Sequence, residues 1–194
     1  MPVKALRIPL EEGKYYHVYN RGNNKDRLFF STADYYFFLR KYYNYLDTYV
    51  ETYAYCILPN HFHFLVRVKE DGNGGATSVS NQFRKLFICH TMRVNSINGR
   101  KGCLMSRNFR REEVIDERYL MNVIRYIHLN PVKHGYITQN SSYLYCSFYD
   151  VLANKNPYVK RTEILNLFGG MEQFLEFHRY NEMEKDIIGA ETDT

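Results

Sequence analysis

The stretch ETYAYCILPNHFHFLVRV, residues 51–68, contains two strand-like runs that only Pro59 and Asn60 separate. The runs at 51–58 and 61–68 are rich in β-branched and aromatic residues, which suit a pleated, half-buried surface. Such runs joined by two residues are typical of a tight β-hairpin. We therefore predict two adjacent antiparallel strands here.

The flanking sequence predicts further elements in a definite order. A strand is predicted at 15–23, and a helix begins at Ser31, where the S-x-x-D pattern is a capping signal. A glycine-rich loop at 69–78 precedes, in order, a helix at 78–98, a strand at 109–115 and a helix from Asp116 to about Asn130, just before Pro131. Strand, helix, strand, strand, helix, strand is the order of the ferredoxin-like, or split βαβ, fold. The predicted class is α+β, an antiparallel sheet with helices on one face.

Helical periodicity predicts which faces of the first two helices are buried. The predicted stripe of the first helix is Tyr36, Leu39, Tyr43 and Leu46, and that of the second is Val79, Phe83, Leu86, His90, Val94 and Ile97. After the third helix, the segment NSSYLYCSFYD (140–150) is predicted to be a loop, and RTEILNLF and MEQFLEFHRYNEM to form two short helices. We expect one domain at 1–152 and a helical C-terminal extension at 153–194.

Composition narrows the class of protein and the partners. The net charge of +5 is concentrated in residues 84–133, which hold eleven Lys or Arg and four acidic residues. A basic middle section suits a phosphate backbone, and 19 Tyr and 13 Phe residues could include stacking platforms for bases. No apolar run has the length of a membrane span and the N-terminus lacks a signal-peptide pattern, so we expect a cytoplasmic protein that is nucleoid-associated when bound to DNA.

Two histidines stand one residue apart in the second strand of the hairpin. Alternation places His61 and His63 on one face of the strand, and Phe62 and Phe64 on the other. The two imidazoles can then reach one divalent ion, while the phenylalanine face is buried against helices. His17, in the first strand, either flanks this site or is a packed sheet histidine.

The third helix supplies further polar candidates. Tyr126 and Asn130 are i, i+4 neighbours on a face that also holds Tyr119 and Asn122. If this face meets the histidine strand, a tyrosine hydroxyl and an amide oxygen join the histidines around one metal. Such a set suits cleavage of a phosphodiester, with nearby cations assisting the weakly acidic phenol. The candidate cations are Arg125, His128 and Lys133.

These motifs carry a resemblance to a known family. YHVYNRG (16–22), YCILPNHFHFLV (55–66), GCLMSRNFR (102–110), YLMNVIRYIHLNPVKHG (119–135) and YCSFYDVL (145–152) resemble, in this order, the landmarks of the IS200-like single-tyrosine HUH transposases, and most closely the REP-associated tyrosine transposases. The resemblance covers about residues 15–152. It departs at Met105, where an aromatic residue is usual, and at YCSFY, where W-S-S-Y is usual, so the preferred DNA sequence stays open.

The resemblance implies a metal-dependent endonuclease and strand transferase that acts on single-stranded DNA at or near hairpins, that is, in DNA transposition. The implied nucleophile is Tyr126, which forms a 5′-phosphotyrosine intermediate, and the implied metal ligands are His61, His63 and Asn130. The cofactor would be Mg²⁺ or Mn²⁺. The partner would be single-stranded or hairpin DNA, with no membrane, and the chain would act as a monomer or a homodimer.

Phosphate contacts are expected from the basic segment and from the rim of the sheet, at Asn20, Arg21, Arg84, Lys85, Arg107, Arg110 and Arg111. Two alternatives stay open. A replication-initiator or relaxase-type HUH nuclease often carries a second tyrosine on the catalytic helix, and Tyr119 is available for that role. A domesticated nucleic-acid-binding module would keep the fold without cleaving DNA.

Overall fold

The computed structural model describes residues 8–70, 75–138 and 142–179, without the side chains of 75–77. The strands are β1 (Tyr15–Arg21), β2 (Val50–Ile57), β3 (His61–Val68) and β4 (Arg110–Val114), and the helices are α1 (Thr32–Leu46), α2 (Gly75–Ile97), α3 (Glu117–Lys133), α4 (Phe148–Ala153), α5 (Arg161–Phe168) and α6 (Met171–Phe177). The strands form one antiparallel sheet in the order β2-β3-β1-β4. The predicted α+β, ferredoxin-like class is confirmed.

The β2–β3 hairpin has the predicted two-residue connection. The Leu58 amide donates to the His61 carbonyl (2.8 Å), which closes the turn around Pro59 and Asn60. The Pro59 carbonyl accepts hydrogen bonds from the amides of Leu28 and Phe29. The tip of the hairpin is thus tied to the segment that leads into α1.

One face of the sheet forms the core with α1 and α2. Phe62 and Phe64 are fully buried there. The Phe62 ring lies 5.0 Å from Phe38 of α1, and the Phe64 ring stacks on Tyr42 of α1 at 4.1 Å. Phe87 of α2 completes the cluster at 5.4 Å from Phe62. The predicted burial of the phenylalanine face is therefore confirmed, and the opposite face is left for α3.

The predicted stripe of α1 is correct at Leu46, which is buried, is only partly buried at Leu39 and Tyr43, and is wrong at Tyr36. Its buried residues include Tyr35, Phe38, Tyr42 and Leu46, whereas Tyr36 is 58% exposed. Both sets follow a helical period in a helix with aromatic residues nearly all round, so periodicity could not choose between them. In α2 the predicted stripe is buried except for its last residue, Ile97, which is 61% exposed at the end of the helix.

Helix α3 is longer than predicted. Its N-cap Asp116 accepts a hydrogen bond from the Tyr119 amide (2.7 Å), which satisfies one of the N–H groups that have no partner within the first turn. Pro131 lies inside the helix, which continues to Lys133. The His134 amide still donates to the Asn130 carbonyl (3.0 Å), so the proline costs one hydrogen bond but does not end the last turn.

The C-terminal part packs behind α3. The predicted loop at 140–150 is wrong in part, because α4 begins at Phe148, while the two predicted short helices are present as α5 and α6. The Lys160 amide donates to the Thr52 carbonyl (2.9 Å), and Phe168 and Phe174 are buried. The division at residue 152 stays a prediction. Residues 71–74 of the glycine-rich segment, which begins to form α2 at Gly75, and residues 180–194 lie outside the described residues.

No helix in the described part of the chain combines the length and the apolarity needed to cross a bilayer.

Candidate active site

The predicted histidine pair occupies one face of β3. His63 is paired with Tyr19 of β1, and His61 with Arg21. The His61 and His63 rings are perpendicular, with their centroids 5.3 Å apart. This face is opposite the phenylalanine core, because successive side chains in a strand alternate between faces.

Helix α3 of the same chain covers the histidines. The Tyr126 ring lies 5.5 Å from the His63 ring and 5.9 Å from the His17 ring, both edge-on. The apolar stripe that docks α3 is buried at Leu120, Ile124 and Ile127, as periodicity predicts. The structure thus brings Tyr126 to the histidine face within one chain.

The Nδ1 atom of each histidine has a hydrogen-bond partner. His61 Nδ1 lies 2.7 Å from Asn60 Oδ1, and His63 Nδ1 lies 2.9 Å from His17 Nε2. An amide oxygen only accepts, so His61 Nδ1 carries the proton and its Nε2 has the lone pair. When His63 Nδ1 is the donor to His17 Nε2, His63 has the same tautomer as His61, with its lone pair on Nε2. Metal-binding histidines are usually held in this way.

Burial favours uncharged rings in this layer. Desolvation lowers the pKa of His17 to about 3. Desolvation, and then the positive charges that His17 and His61 can carry, hold the pKa of His63 well below its usual range. The imidazoles of His17 and His63 are therefore neutral near pH 7, and the neutral form of His63 is the one that can coordinate a metal.

The side chain of Asn130 carries a buried hydrogen-bond acceptor that has no donor among the described residues. It is fully buried one turn after Tyr126, and its Nδ2 donates to the Tyr126 carbonyl (2.8 Å). Its Oδ1 is buried and has no hydrogen-bond partner among the described residues. Leaving a buried acceptor unsatisfied costs about 1–3 kcal/mol, and a cation near this oxygen would offset that cost.

The donor chemistry of two imidazoles and one amide oxygen suits a divalent ion. Among the described residues, no group of three or more His, Cys, Asp or Glu side chains is arranged to hold a metal. The chain would therefore supply a partial ligand set, and water or a phosphate oxygen would fill the other positions.

Of the three candidate cations, the structure places Lys133 beside Tyr126. Its Nζ is buried, has no hydrogen-bond partner among the described residues, and lies 5.2 Å from the centroid of the Tyr126 ring. Lys133 follows Tyr126 by seven residues, which is about two helical turns.

The prediction that Arg125 and His128 assist the Tyr126 phenol is wrong, because both side chains bind other parts of the chain. Arg125 donates to the Arg179 carbonyl (2.9 Å), and His128 contacts His178 and Ser147, both at 2.9 Å. At 100° per residue, these two positions point away from the Tyr126 face. They connect α3 to the C-terminal part of the chain instead.

A cavity of about 580 Å³ opens beside the histidines. Its lining is basic, with Arg21, Lys25, Arg107 and Arg110, and none of its lining residues is acidic. His134 also lines it, with its ring 4.7 Å from that of His61. The cavity suits a polyanion that reaches the histidines.

Several of the residues that line this cavity are not among the site residues predicted from the sequence. They include Lys25, Asn60, Asn108, His134 and Tyr136. Of these, His134 lies in a quoted motif and immediately follows Lys133, so the helix position could have indicated it. The others come from loops and turns, whose side-chain directions no periodicity predicts.

The predicted DNA-contacting residues do not form a single cluster. Asn20, Arg21, Arg107 and Arg110 line the cavity, whereas Arg84 lies in a neighbouring groove and Lys85 is exposed on α2 and lines neither. Arg111 donates to Ser80 Oγ (2.6 Å), and its guanidinium lies 4.5 Å above the centre of the Phe109 ring. Asn20 also contacts the loop between α2 and β4, because its Nδ2 donates to the Ser106 carbonyl (3.2 Å).

No family model matches the chain. A curated relative from Haemophilus influenzae, described as "Putative REP-associated tyrosine transposase", is 34% identical over 113 residues. The predicted resemblance is confirmed. The match spans 55% of this chain and 64% of the relative, so the chain covers less than two thirds of that protein.

A solved structure of a REP-associated tyrosine transposase bound to a REP hairpin has the same fold. Its TM-score with this chain is 0.60, and the match covers 76% of this chain and 83% of that one. The sequence identity is 20%. At this identity the likeness concerns the fold.

Proposed function

We propose that this protein is a single-tyrosine transposase that nicks and rejoins single-stranded DNA at or near a hairpin. The observation that carries the proposal is the contact between Tyr126 and His63. The Tyr126 ring packs edge-on against the His63 ring, and His61 and His63 both line a basic cavity. The proposal is also supported by the similarity to a REP-associated transposase and by a fold shared with one that binds a REP hairpin.

In the proposed reaction, Tyr126 Oη attacks the scissile phosphorus while the bond from phosphorus to the 3′-oxygen breaks. The phenol gives up its proton, and the leaving 3′-oxygen takes one up. The product is a 5′-phosphotyrosine and a free 3′-hydroxyl. Lys133, next to the Tyr126 ring, would favour loss of the phenolic proton, because an adjacent positive charge stabilises a phenolate.

His61, His63 and Asn130 would hold Mg²⁺ or Mn²⁺ through two Nε2 atoms and Oδ1. The ion would polarise a phosphoryl oxygen and orient the scissile phosphate. Asn60 and His17 would keep the histidine tautomers, and Arg21, Arg107 and Arg110 would bind flanking phosphates. His61, His63 and Tyr126 belong to one chain and one site, which supports action as a monomer.

Two alternatives make different demands on the structure. A relaxase-type nuclease that used Tyr119 would need that residue at the metal, yet it lies seven residues before Tyr126, roughly 10 Å along the helix axis. An idle binding module has no need for an unsatisfied Asn130 oxygen. Both observations favour cleavage by Tyr126.

The test is incubation with labelled hairpin DNA that carries single-stranded flanks, in Mg²⁺ or Mn²⁺ and with chelator as control. We expect a covalent protein–DNA adduct that depends on the metal, and peptide mass spectrometry should locate the nucleotide on Tyr126. Tight DNA binding with no adduct in either metal would instead indicate the binding module.

His17 is expected to act as a positioning residue for the metal. Replacing it by phenylalanine keeps a ring in the layer but removes the partner of His63 Nδ1, so Mn²⁺ affinity should fall about 10–100-fold. His17→Gln offers a side-chain oxygen to the same nitrogen and should keep most of the affinity. Electron paramagnetic resonance of free Mn²⁺ gives the measurement.

The control for His17 is His90→Gln, because His90 is also buried but lies on the other side of the sheet and bonds to the Leu28 carbonyl. It should bind Mn²⁺ like the unmodified protein. Equal affinity in His17→Phe and the unmodified protein would show that the contact with His63 has only a packing role.

A further inference from the structure

Two of the cysteines face each other at the β2 edge of the sheet. Cys56 is the second-to-last residue of β2 and is fully buried, and Cys146 lies just before α4 and is 3% exposed. The two residues form an antiparallel β-bridge, and both are free thiols. The proposed DNA cleavage uses neither of them.

The hydrogen bonds around this bridge define the type of pair. Two backbone hydrogen bonds of 2.9 Å flank it, one from the Ile57 amide to the Tyr145 carbonyl and one from the Ser147 amide to the Tyr55 carbonyl. Cys56 and Cys146 therefore form a non-hydrogen-bonded antiparallel pair, in which the Cα atoms are about 4.5 Å apart and the side chains are closest. A disulfide spans Cα separations of about 4.4–6.8 Å, so the two thiols can be joined without unpairing the strands.

The segment that carries Cys146 also connects the sheet to α3. The Cys146 thiol donates to the His128 carbonyl (3.8 Å), and Ser147 Oγ lies 2.9 Å from His128 Nε2. On the sheet side, Ser147 Oγ accepts a hydrogen bond from the Tyr55 amide (2.8 Å). A covalent bond between Cys56 and Cys146 would thus fasten the segment on which this side of α3 rests.

The two sulfur atoms differ in their access to a small oxidant. Cys146 lines a cavity of about 320 Å³ between α3, α4 and α6, which leaves room for a molecule as small as hydrogen peroxide. Burial, and then a hydrogen bond with Cys146 and the negative charge that Cys146 can carry, raise the pKa of Cys56. Cys56 is therefore a protonated thiol at pH 7, and Cys146 is the sulfur that meets the oxidant first.

We propose that Cys56 and Cys146 form a modification site, at which hydrogen peroxide converts the two thiols reversibly into a disulfide that locks the segment behind α3 to β2. Cys146 attacks one peroxide oxygen, which gives a sulfenic acid and releases water. The Cys56 sulfur then attacks the Cys146 sulfur, and the oxygen leaves as a second water. Two thiols are oxidised, one peroxide is reduced, and a thiol reductant restores both cysteines by exchange.

This site is a feature of the chain rather than of the family pattern. Cys146 belongs to YCSFY, one of the two places at which the sequence departs from that pattern, and W-S-S-Y contains no cysteine. Disulfide formation does not require DNA cleavage, so the failure of either proposal leaves the other standing.

The test exposes the folded protein to hydrogen peroxide and maps its disulfides by non-reducing peptide mass spectrometry. We expect an intramolecular link between the peptides that contain Cys56 and Cys146, and dithiothreitol should remove it. Oxidation should raise the Tm by about 10 °C, because the link closes a long loop that contains β3, α2, β4 and α3.

Cys103→Ser is the matched control, because Cys103 is exposed and lies outside the pair. This variant should keep both the link and the rise in Tm. Cys146→Ser should lose both, and so should Cys56→Ala, which removes the other thiol. Each oxidised protein is compared with its own reduced form, so a change in the starting stability of a variant does not affect the result.

Two results would overturn this proposal. One is that Cys56 and Cys146 stay unlinked in the folded, peroxide-treated protein. The other is that the link forms but leaves the Tm unchanged, which would show that it locks nothing.

Discussion

Tyr126→Phe is expected to abolish formation of the covalent DNA adduct, by roughly a thousandfold or more, because it removes the only atom that the proposed reaction links to phosphorus. The substitution keeps the ring that packs edge-on against His63 and His17. The free energy of unfolding should therefore change by less than about 1 kcal/mol. Single-turnover adduct formation and urea unfolding give the two measurements.

Tyr119→Phe is the matched control on the same helix. It should form adduct at close to the unmodified rate, because this residue lies near the start of α3 and the proposed reaction does not use it. An adduct that survives Tyr126→Phe and disappears in Tyr119→Phe would assign the nucleophile to Tyr119. That result would favour the relaxase-type alternative.

Acid is expected to unfold the protein between about pH 6.5 and pH 5. Burial lowers the pKa of five histidines, to about 3 for His17 and about 4 for His90 and His178, and well below the usual range for His63 and His128. The unfolded chain regains the ordinary pKa of about 6.5, so below that pH it binds more protons than the folded chain. Stability is complete above pH 6.5 and falls as the pH drops.

The size of this effect is large for a domain. At pH 5 each histidine that stays neutral in the folded state lowers the free energy of unfolding by about 2 kcal/mol, since one pKa unit corresponds to about 1.4 kcal/mol. Five such residues approach the total stability of a typical domain, about 5–15 kcal/mol. Urea unfolding at pH 7.5, 6 and 5 would measure the loss.

His90→Gln isolates the contribution of a single ring. Glutamine keeps a donor for the Leu28 carbonyl but has no proton to gain, so the variant should lose less stability between pH 7.5 and pH 5 than the unmodified protein. His134→Gln, at an exposed position, should behave like the unmodified protein. Equal urea midpoints for the unmodified protein at pH 7.5 and pH 5 would contradict the prediction.

The hairpin and the fold class could be predicted because their signals are local. Pro59 and Asn60 separate two strand-like runs, and the alternation along β3 assigns His61 and His63 to one face without any knowledge of their neighbours. The order of strands and helices then limits the topology to few choices. Local signals were weaker in α1, because aromatic residues on several faces allow more than one choice of buried stripe. They were also weaker at α4, because this short helix lies next to turn residues.

The candidate site could be predicted only in part. Periodicity places Tyr126, Asn130 and Lys133 along one side of α3, and it also excludes Arg125 and His128 from that side, although both are close to Tyr126 in sequence. The partners that orient the histidines depend on strand pairing and turn geometry. His17 reaches His63 because β1 lies beside β3, 46 residues apart in sequence.

The sequence by itself determined the α+β fold, the shared face of His61 and His63, and the helix that carries Tyr126 and Asn130, because each follows from the period of a strand or a helix. Only the tertiary structure decided that α3 covers the histidine face of its own chain, that His17 and Asn60 hold the two Nδ1 atoms, and that Lys133 lies beside Tyr126. These contacts join segments far apart in sequence, and their geometry is set by how the helices pack on the sheet.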